Sequence, residues 1–260
     1  MEKQPLISVI TVVFNGEQFL QQTIDSLRNQ TYKNFEYIII DGGSKDNTID
    51  IIRKNEDIVS KWVSEPDKGL YDAMNKGARM ATGELVGTIN SDDWYENDAL
   101  EIVVKAFLKH PNKKIFHADI LCVESDGRKY LRKAKTSPFL FKYYGMVKNH
   151  PTMFIHKSIY ENHHYNIELS GLSDYQFALS IYLKDKTVFY YIPKTLSNFR
   201  LGGISGQLSL TKSLKENYIA RKNAGMNILQ RILGILTRLS IEFVNLLKRN
   251  LSKNRKYNND

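Results

Sequence analysis

An α/β fold, with a mainly parallel central sheet and helices on both faces, is what this sequence predicts, and three observations carry the prediction. Four β-rich apolar runs fall before Trp94. Stretches of helical periodicity separate them. Glycine, asparagine and aspartate stand at the ends of the runs, where the chain must turn. Strands and helices alternating in this way build a parallel sheet covered on both sides.

The first run, Leu6 to Phe14, is stopped by Asn15-Gly16. Gln18 to Asn29 reads as a helix with Phe19, Leu20, Ile24 and Leu27 on one face. Phe35 to Ile40 is a second strand, ending in the turn-rich Asp41-Gly42-Gly43-Ser44-Lys45-Asp46-Asn47-Thr48, which supplies N-cap residues for a helix from Ile49 to Asn55. Ile58 to Val63 is a third strand; a helix through Tyr71, Met74 and Met80 follows it and is closed by Gly83. Leu85 to Ile89 is the fourth strand. Beyond Trp94 the pattern predicts a helix from Ala99 to Leu108, a strand from Lys114 that continues to Val123, and a turn at Ser125-Asp126-Gly127-Arg128. It further predicts a helix from Ser173 to Leu183, a strand from Thr187 to Ile192 and a loop at Gly202-Gly203. Residues 129–156 show no clear period and read as short strands mixed with loops.

The fourth strand ends in Asn90-Ser91-Asp92-Asp93-Trp94. Ligands of open α/β sheets bind beyond the carboxyl ends of the strands. Two acids there suit a hard divalent cation, which prefers oxygen ligands and bridges readily to phosphates. A helix cap or a solvated turn is the plainer reading of such a pair. Neither a G-x-G-x-x-G nor a Walker loop follows the first strand, so the nucleotide-fold architecture comes without either common phosphate loop.

The chain of 260 residues has room for one large domain and an appendage. Its single cysteine, Cys122, excludes an intrachain disulfide and suits a reducing compartment. No signal-peptide pattern and no long uncharged apolar stretch is present, so a cytoplasmic protein without a spanning helix is expected. The net charge of +9 is unevenly divided: residues 207–260 hold 11 Lys/Arg against 3 Asp/Glu, leaving 26 against 25 in residues 1–206. A nearly neutral body with a basic tail is not the footprint of a uniformly basic nucleic-acid binder, and no nucleic-acid partner is expected.

Four stretches carry a resemblance to the family 2 glycosyltransferases of GT-A fold. They are Ser8 to Asn15, Asp41 to Thr48, Gly83 to Asp93, and Leu172-Ser173-Asp174-Tyr175, in this order. The run from Glu65 to Gly77 is similar to that of a bacterial subgroup that builds surface polysaccharides. The resemblance implies a metal-dependent, inverting hexosyl- or glycosyltransferase. It would move a sugar from a nucleotide-sugar, with a UDP-sugar as the expected donor, to the hydroxyl of a saccharide acceptor that can be lipid-linked, in capsule, O-antigen or exopolysaccharide synthesis. It places the metal-binding D-x-D-type motif on Asp92 and Asp93 after Ser91, holding Mn²⁺ or Mg²⁺ across the donor diphosphate. It places the catalytic base on Asp174, with Ser173 where the family usually has a glutamate. Asp41 matches an acid that accepts from the nucleobase, with Gly42 where a second acid is common. Phe14 matches an aromatic that lies against the base, and Lys68 and Asn75 fall where polar donor contacts are expected. Arg200 would be the cation of a glycine loop, Arg200 to Ser205, that closes over the diphosphate. Asn149-His150-Pro151-Thr152 could border the acceptor or the diphosphate. Residues 1–206 are thus expected to form the catalytic domain, with the nucleotide-sugar half at about 1–95 and the acceptor half at about 96–206.

Residues 207–260 form the expected basic, helical tail. From Ile228 to Leu247 apolar residues recur at helical spacing, with Arg231, Gly234, Arg238 and Glu242 on the other side. Flanked by Lys and Arg, this helix reads as an in-plane anchor on the anionic inner face of the cytoplasmic membrane. Docking on the catalytic domain or on a second copy is the competing reading, and a disordered end is expected from Ser252. Two other functions compete with the enzyme. A nucleotidyltransferase would carry a Gly-rich, Arg-Lys loop after the first strand, where this chain has Val13-Phe14-Asn15-Gly16-Glu17. A non-catalytic nucleotide-sugar-binding subunit of an assembly complex would not need Asp41, Asp92, Asp93 and Asp174 together.

Overall fold

The computed structural model describes residues 4–202 and 208–257, with side chains as far as Leu247. Strands β1 (Ile7–Val13), β2 (Phe35–Asp41), β3 (Lys61–Ser64) and β4 (Leu85–Asn90) lie parallel in the order β3-β2-β1-β4. All seven residues of β1 are buried, because helices cover both faces of the sheet. Successive side chains point to opposite faces. Ile10, Val12, Ile38 and Ile40 therefore pack with Tyr71 and Met74 of α3 (Leu70–Met80). Ile7, Val9 and Ile39 pack on the other side with Leu20, Ile24 and Leu27 of α1 (Leu20–Arg28), Ile52 of α2 (Thr48–Lys54) and Leu100 of α4 (Ala99–Lys109).

The second half of the sheet is mixed. β8 (Phe154–His156) runs antiparallel between β4 and β6 (Ile115–Val123), and β9 (Phe189–Arg200) runs parallel to β6 on its other side. Two short strands, β5 (Trp94–Tyr95) and β7 (Lys129–Arg132), pair antiparallel with β9 and β6. The strand expected to end at Ile192 continues to Arg200, since Pro193 falls where the register slips between Ala118 and Asp119, a bulge that needs no ladder donor. This extension brings Arg200 to the end of β4.

Helix α5 (Ser173–Lys184) packs in one apolar cluster with Ile115 of β6 and Phe189 of β9. Helix α6 (Leu210–Asn223) packs on α5, its Ala220 sharing an apolar cluster with α5, and its buried Glu216 accepts from the Ser170 hydroxyl at 2.6 Å and the Gly171 N–H at 3.0 Å. Helix α7 spans Ile228–Tyr257, so the end expected to be disordered from Ser252 is helical through Tyr257, no Gly or Pro interrupting it after Gly234. No helix among the described residues is long and apolar enough to cross a membrane.

Candidate active site

A cavity of about 780 Å³ opens at the carboxyl ends of β1 and β4, where the strand order reverses direction. Its floor is Val12, Val13 and Asn90; its walls come from the β1–α1 loop, Gly42, the first turn of α3, Ser91-Asp92 and Phe199-Arg200. Asn15 holds the β1–α1 loop open at positive φ (50°), its side-chain oxygen accepting from the Lys45 N–H at 2.9 Å.

Phe14 presents a ring that is 63 % exposed to one side of the cavity, an unusual place for a large apolar group without a ligand. Ser91 and Asp92 line the opposite side with Arg200. Burial holds the Asp92 carboxyl above its ordinary range, opposed by the charge of Arg200. The guanidinium of Arg200 lies 4.0 Å from the Phe19 ring and 5.2 Å from that of Trp94, and donates to Gln22 at 2.9 Å and to the Asp92 carbonyl at 3.3 Å. Phe19, expected on the core face of α1, instead ends at this cavity as a platform for the arginine.

Asp93 is 1 % exposed and lies behind the wall. Its carboxylate accepts from the backbone N–H of Arg200 at 2.9 Å and from Asn90 at 3.3 Å. Burial, and then the charge of Asp92, pushes its carboxyl well above the usual range. Only Asp92 of the expected metal pair therefore faces the cavity, and among the described residues no group of three or more His, Cys, Asp or Glu side chains is arranged around a cation. A donor set of one or two carboxylates fits Mg²⁺ or Mn²⁺ delivered with a diphosphate, which supplies the remaining oxygens, rather than a closed protein cage.

The other expected donor contacts stand apart from the cavity. Asp41 is fully buried and closes its own turn, accepting from Gly43 N–H and Ser44 N–H at 3.0 Å each, from the Ser44 hydroxyl and from the Ser64 hydroxyl at 2.6 Å. Asn75 is buried and ties α3 to Tyr165 by a reciprocal pair of bonds, 2.8 and 2.9 Å. Lys68 is exposed and outside the lining. A residue the sequence left without a role, Asp67, lines the cavity instead. A Cβ added at Gly42 would lie 2.6 Å from Asp67 Oδ2 and 3.5 Å from the Phe14 ring, so the Asp67 carboxylate fills the space that an acid at position 42 would claim. The missing second acid was the signal for this exchange.

Asp174 is half-buried in the first turn of α5 and does not line the cavity. The first turn of α3 connects the two: Leu70 and Ala73 face the cavity, while Tyr71 donates its hydroxyl to Asp174 Oδ1 at 3.1 Å. Tyr71 stacks on Tyr165 at 5.8 Å, and the Tyr165 hydroxyl meets His150 Nε2 at 3.3 Å. Burial lowers the His150 pKa, and the charge of Asp174 raises it. Gly203 to Ser205 of the expected closing loop lie outside the described residues.

This architecture is the GT-A fold, a nucleotide-binding sheet of order β3-β2-β1-β4 joined to a mixed second half. Residues 8–166 match the glycosyl transferase family 2, and the chain belongs to that family. It is 27 % identical over 235 residues to a chondroitin synthase of Pasteurella multocida, an alignment that covers 86 % of this chain but 23 % of the synthase, so the chain spans about a quarter of that relative's length. Among solved structures it superposes on S. aureus TarS (residues 1–349, in complex with UDP-GlcNAc) with a TM-score of 0.69 at 17 % identity, covering 90 % of this chain and 71 % of that one. The mannosyltransferase PcManGT of Pyrobaculum calidifontis, in complex with GDP-Man and Mn²⁺, gives 0.56 at 19 % identity, covering 74 % of this chain and 55 % of that one.

Proposed function

We propose that the chain transfers a sugar, with inversion, from a nucleoside-diphosphate donor to an acceptor hydroxyl during assembly of a bacterial surface polysaccharide. The observation that carries this reading is one cavity with an exposed aromatic ring, Phe14, on one side and Asp92 with Arg200 on the other. A nucleotide-sugar needs those two environments: a flat apolar face for its base and a charged end for its diphosphate. The named relative makes a polysaccharide, and the two structural neighbours were solved with UDP-GlcNAc and with GDP-Man and Mn²⁺.

In this reading Phe14 stacks on the base, and Asp67 accepts from a base N–H in place of the absent acid at position 42. Asp41 holds the turn that positions Gly42. Ser91 and Asp92 meet the ribose and diphosphate; Lys68 stands exposed between the lining residues Asp67 and Gly69, and Asn75, its amide spent on Tyr165, positions α3. Asp92 would hold Mg²⁺ or Mn²⁺, whose charge would offset that developing on the leaving nucleoside diphosphate, while Asp93 behind it fixes the Arg200 backbone. Arg200, pre-set by its two aromatic rings and Gln22, offers a second positive group to the phosphates. Asp174 takes the proton of the acceptor hydroxyl; the freed oxygen attacks the anomeric carbon from the face opposite the departing diphosphate, which inverts its configuration. The acceptor is a saccharide, suited to a lipid carrier.

Release of nucleoside diphosphate from a panel of nucleotide-sugars, with Mn²⁺ and with chelator, tests the reading. Expected are dependence on the cation and losses of about a hundredfold or more in Asp92→Asn and Asp174→Asn, the scale for removing a charge-stabilising group or a base. Transfer indifferent to chelator and to Asp92→Asn would overturn the metal role.

A further inference from the structure

Helix α7 turns its polar side to the protein and its apolar side away from it. Gly234 is the point of contact: a Cβ there would lie 2.7 Å from the guanidinium carbon of Arg221. Arg221 is fully buried and cannot yield, because it donates to the Lys142 carbonyl at 2.9 Å and the Tyr143 carbonyl at 2.6 Å. Arg231 lies 4.8 Å from the Tyr218 ring, and Arg238 reaches the Tyr144 carbonyl at 3.5 Å. On the opposite side, ten large apolar side chains between Ile228 and Leu247 are 40–75 % exposed, Leu229, Leu236 and Phe243 among the most open. At 3.6 residues per turn these ten cover an arc of about 160°.

We propose that this arc is a docking surface for an anionic lipid bilayer, on which α7 lies in plane. Its breadth argues against a second copy as the occupant, since a partner helix covers a narrow seam and would leave both flanks of so wide a face in water. Charge points the same way. Residues 207–260 carry 11 Lys/Arg and 3 Asp/Glu, and the last ten residues of α7 bring Lys248, Arg249, Lys253, Arg255 and Lys256 with no acid. An apolar face followed by a run of cations matches a bilayer with anionic headgroups. The Arg221 clasp presents this face already folded, so little ordering remains at binding. The clasp also reaches the acceptor side: the Lys142 carbonyl that accepts from Arg221 accepts from the Tyr175 hydroxyl at 2.8 Å, and Tyr175 follows Asp174. Only the link to a lipid-carried acceptor rests on the transferase reading; the surface itself does not.

The test is flotation of the full chain with vesicles of phosphatidylcholine alone and with about one quarter phosphatidylglycerol, beside Leu236→Glu/Phe243→Glu and an UDP-binding titration. The expected result is binding at least tenfold stronger to the anionic vesicles, weakened by salt and lost at least tenfold in the double variant, whose side chains are exposed and whose UDP affinity and melting temperature stay at the wild-type values. Equal recovery of wild type and variant, or no preference for anionic vesicles, would overturn it. So would a dimer in sedimentation equilibrium that the variant dissociates while vesicles bind neither protein. Loss of UDP binding with vesicle binding intact would count against the transferase reading and leave this surface standing.

Discussion

Glu36 offers the clearest energetic test of how the parallel half of the sheet is held together. It lies on β2, 8 % exposed, and its Oε1 accepts from the Ser8 hydroxyl of β1 at 2.6 Å and from the N–H and hydroxyl of Thr82 at 2.6 and 2.8 Å. Its Oε2 pairs with Lys61 of β3 at 2.9 Å. Burial raises the carboxyl, but the bonds from Ser8, Thr82 and Lys61 together outweigh it and lower the pKa from 4.5 to about 2. A depressed folded-state value stabilises the protein above the unfolded value and loses that contribution as pH falls through the folded one. At 1.36 kcal/mol per unit, the ionised form contributes about 3 kcal/mol at neutral pH and about 1.4 kcal/mol at about pH 3. Glu36→Gln is therefore expected to lower the urea unfolding free energy by about 3 kcal/mol at pH 7, with the gap to wild type roughly halved at about pH 3. Donor affinity should not change, because Glu36 does not line the cavity. A gap below about 1 kcal/mol at neutral pH, or one independent of pH, would show that the charge is not what binds the three strands.

The remaining predictions concern the site and the clasp. Phe14→Ala should weaken UDP binding about tenfold by calorimetry while leaving the melting temperature unchanged, since base–aromatic stacking is worth about 1–3 kcal/mol and the ring is exposed; Phe14→Tyr should retain it. Asp67→Asn should weaken UDP binding and narrow the preference among nucleoside diphosphates, which a competition titration would read. Tyr71→Phe removes the bond to Asp174 and should shift the acidic limb of the kcat profile while donor affinity holds. Gly234→Val should push α7 off Arg221, exposing its N-terminal turns to limited proteolysis with the transferase core intact.

The parallel half of the sheet was legible because its strands are buried on both faces, which turns them into solid apolar runs such as Ile7–Val13 and Phe35–Asp41. The mixed half was not. β5 has two residues and β8 three, too few to show a period. Helix α6 gave no apolar stripe because much of its buried side is polar: Ser213, Glu216, Asn217 and Arg221 are buried, and Glu216 and Arg221 are paired to distant partners. Residues that follow a strand end directly, Phe14, Ser91 and Asp92, line the cavity. Arg200 is there as well, reached through a strand that ran eight residues past its expected end at Ile192.

Asp41 and Asn75 are turned inward by partners remote in sequence, Ser64 for the first and Tyr165 for the second, with Ser44 adding a local bond to Asp41. A motif states which residue types occur and not which way they face. Gly42 makes the same point from the other direction. A missing side chain at one position leaves space, and here the space is filled by a carboxylate 25 residues away, Asp67, beside the ring of Phe14. An acid thus stands beside Phe14 although position 42 has none, and the amphipathic tail repeats the lesson. Its apolar period gave the helix, but the buried Arg221 against Gly234 decides which face meets the protein and which is left for another phase.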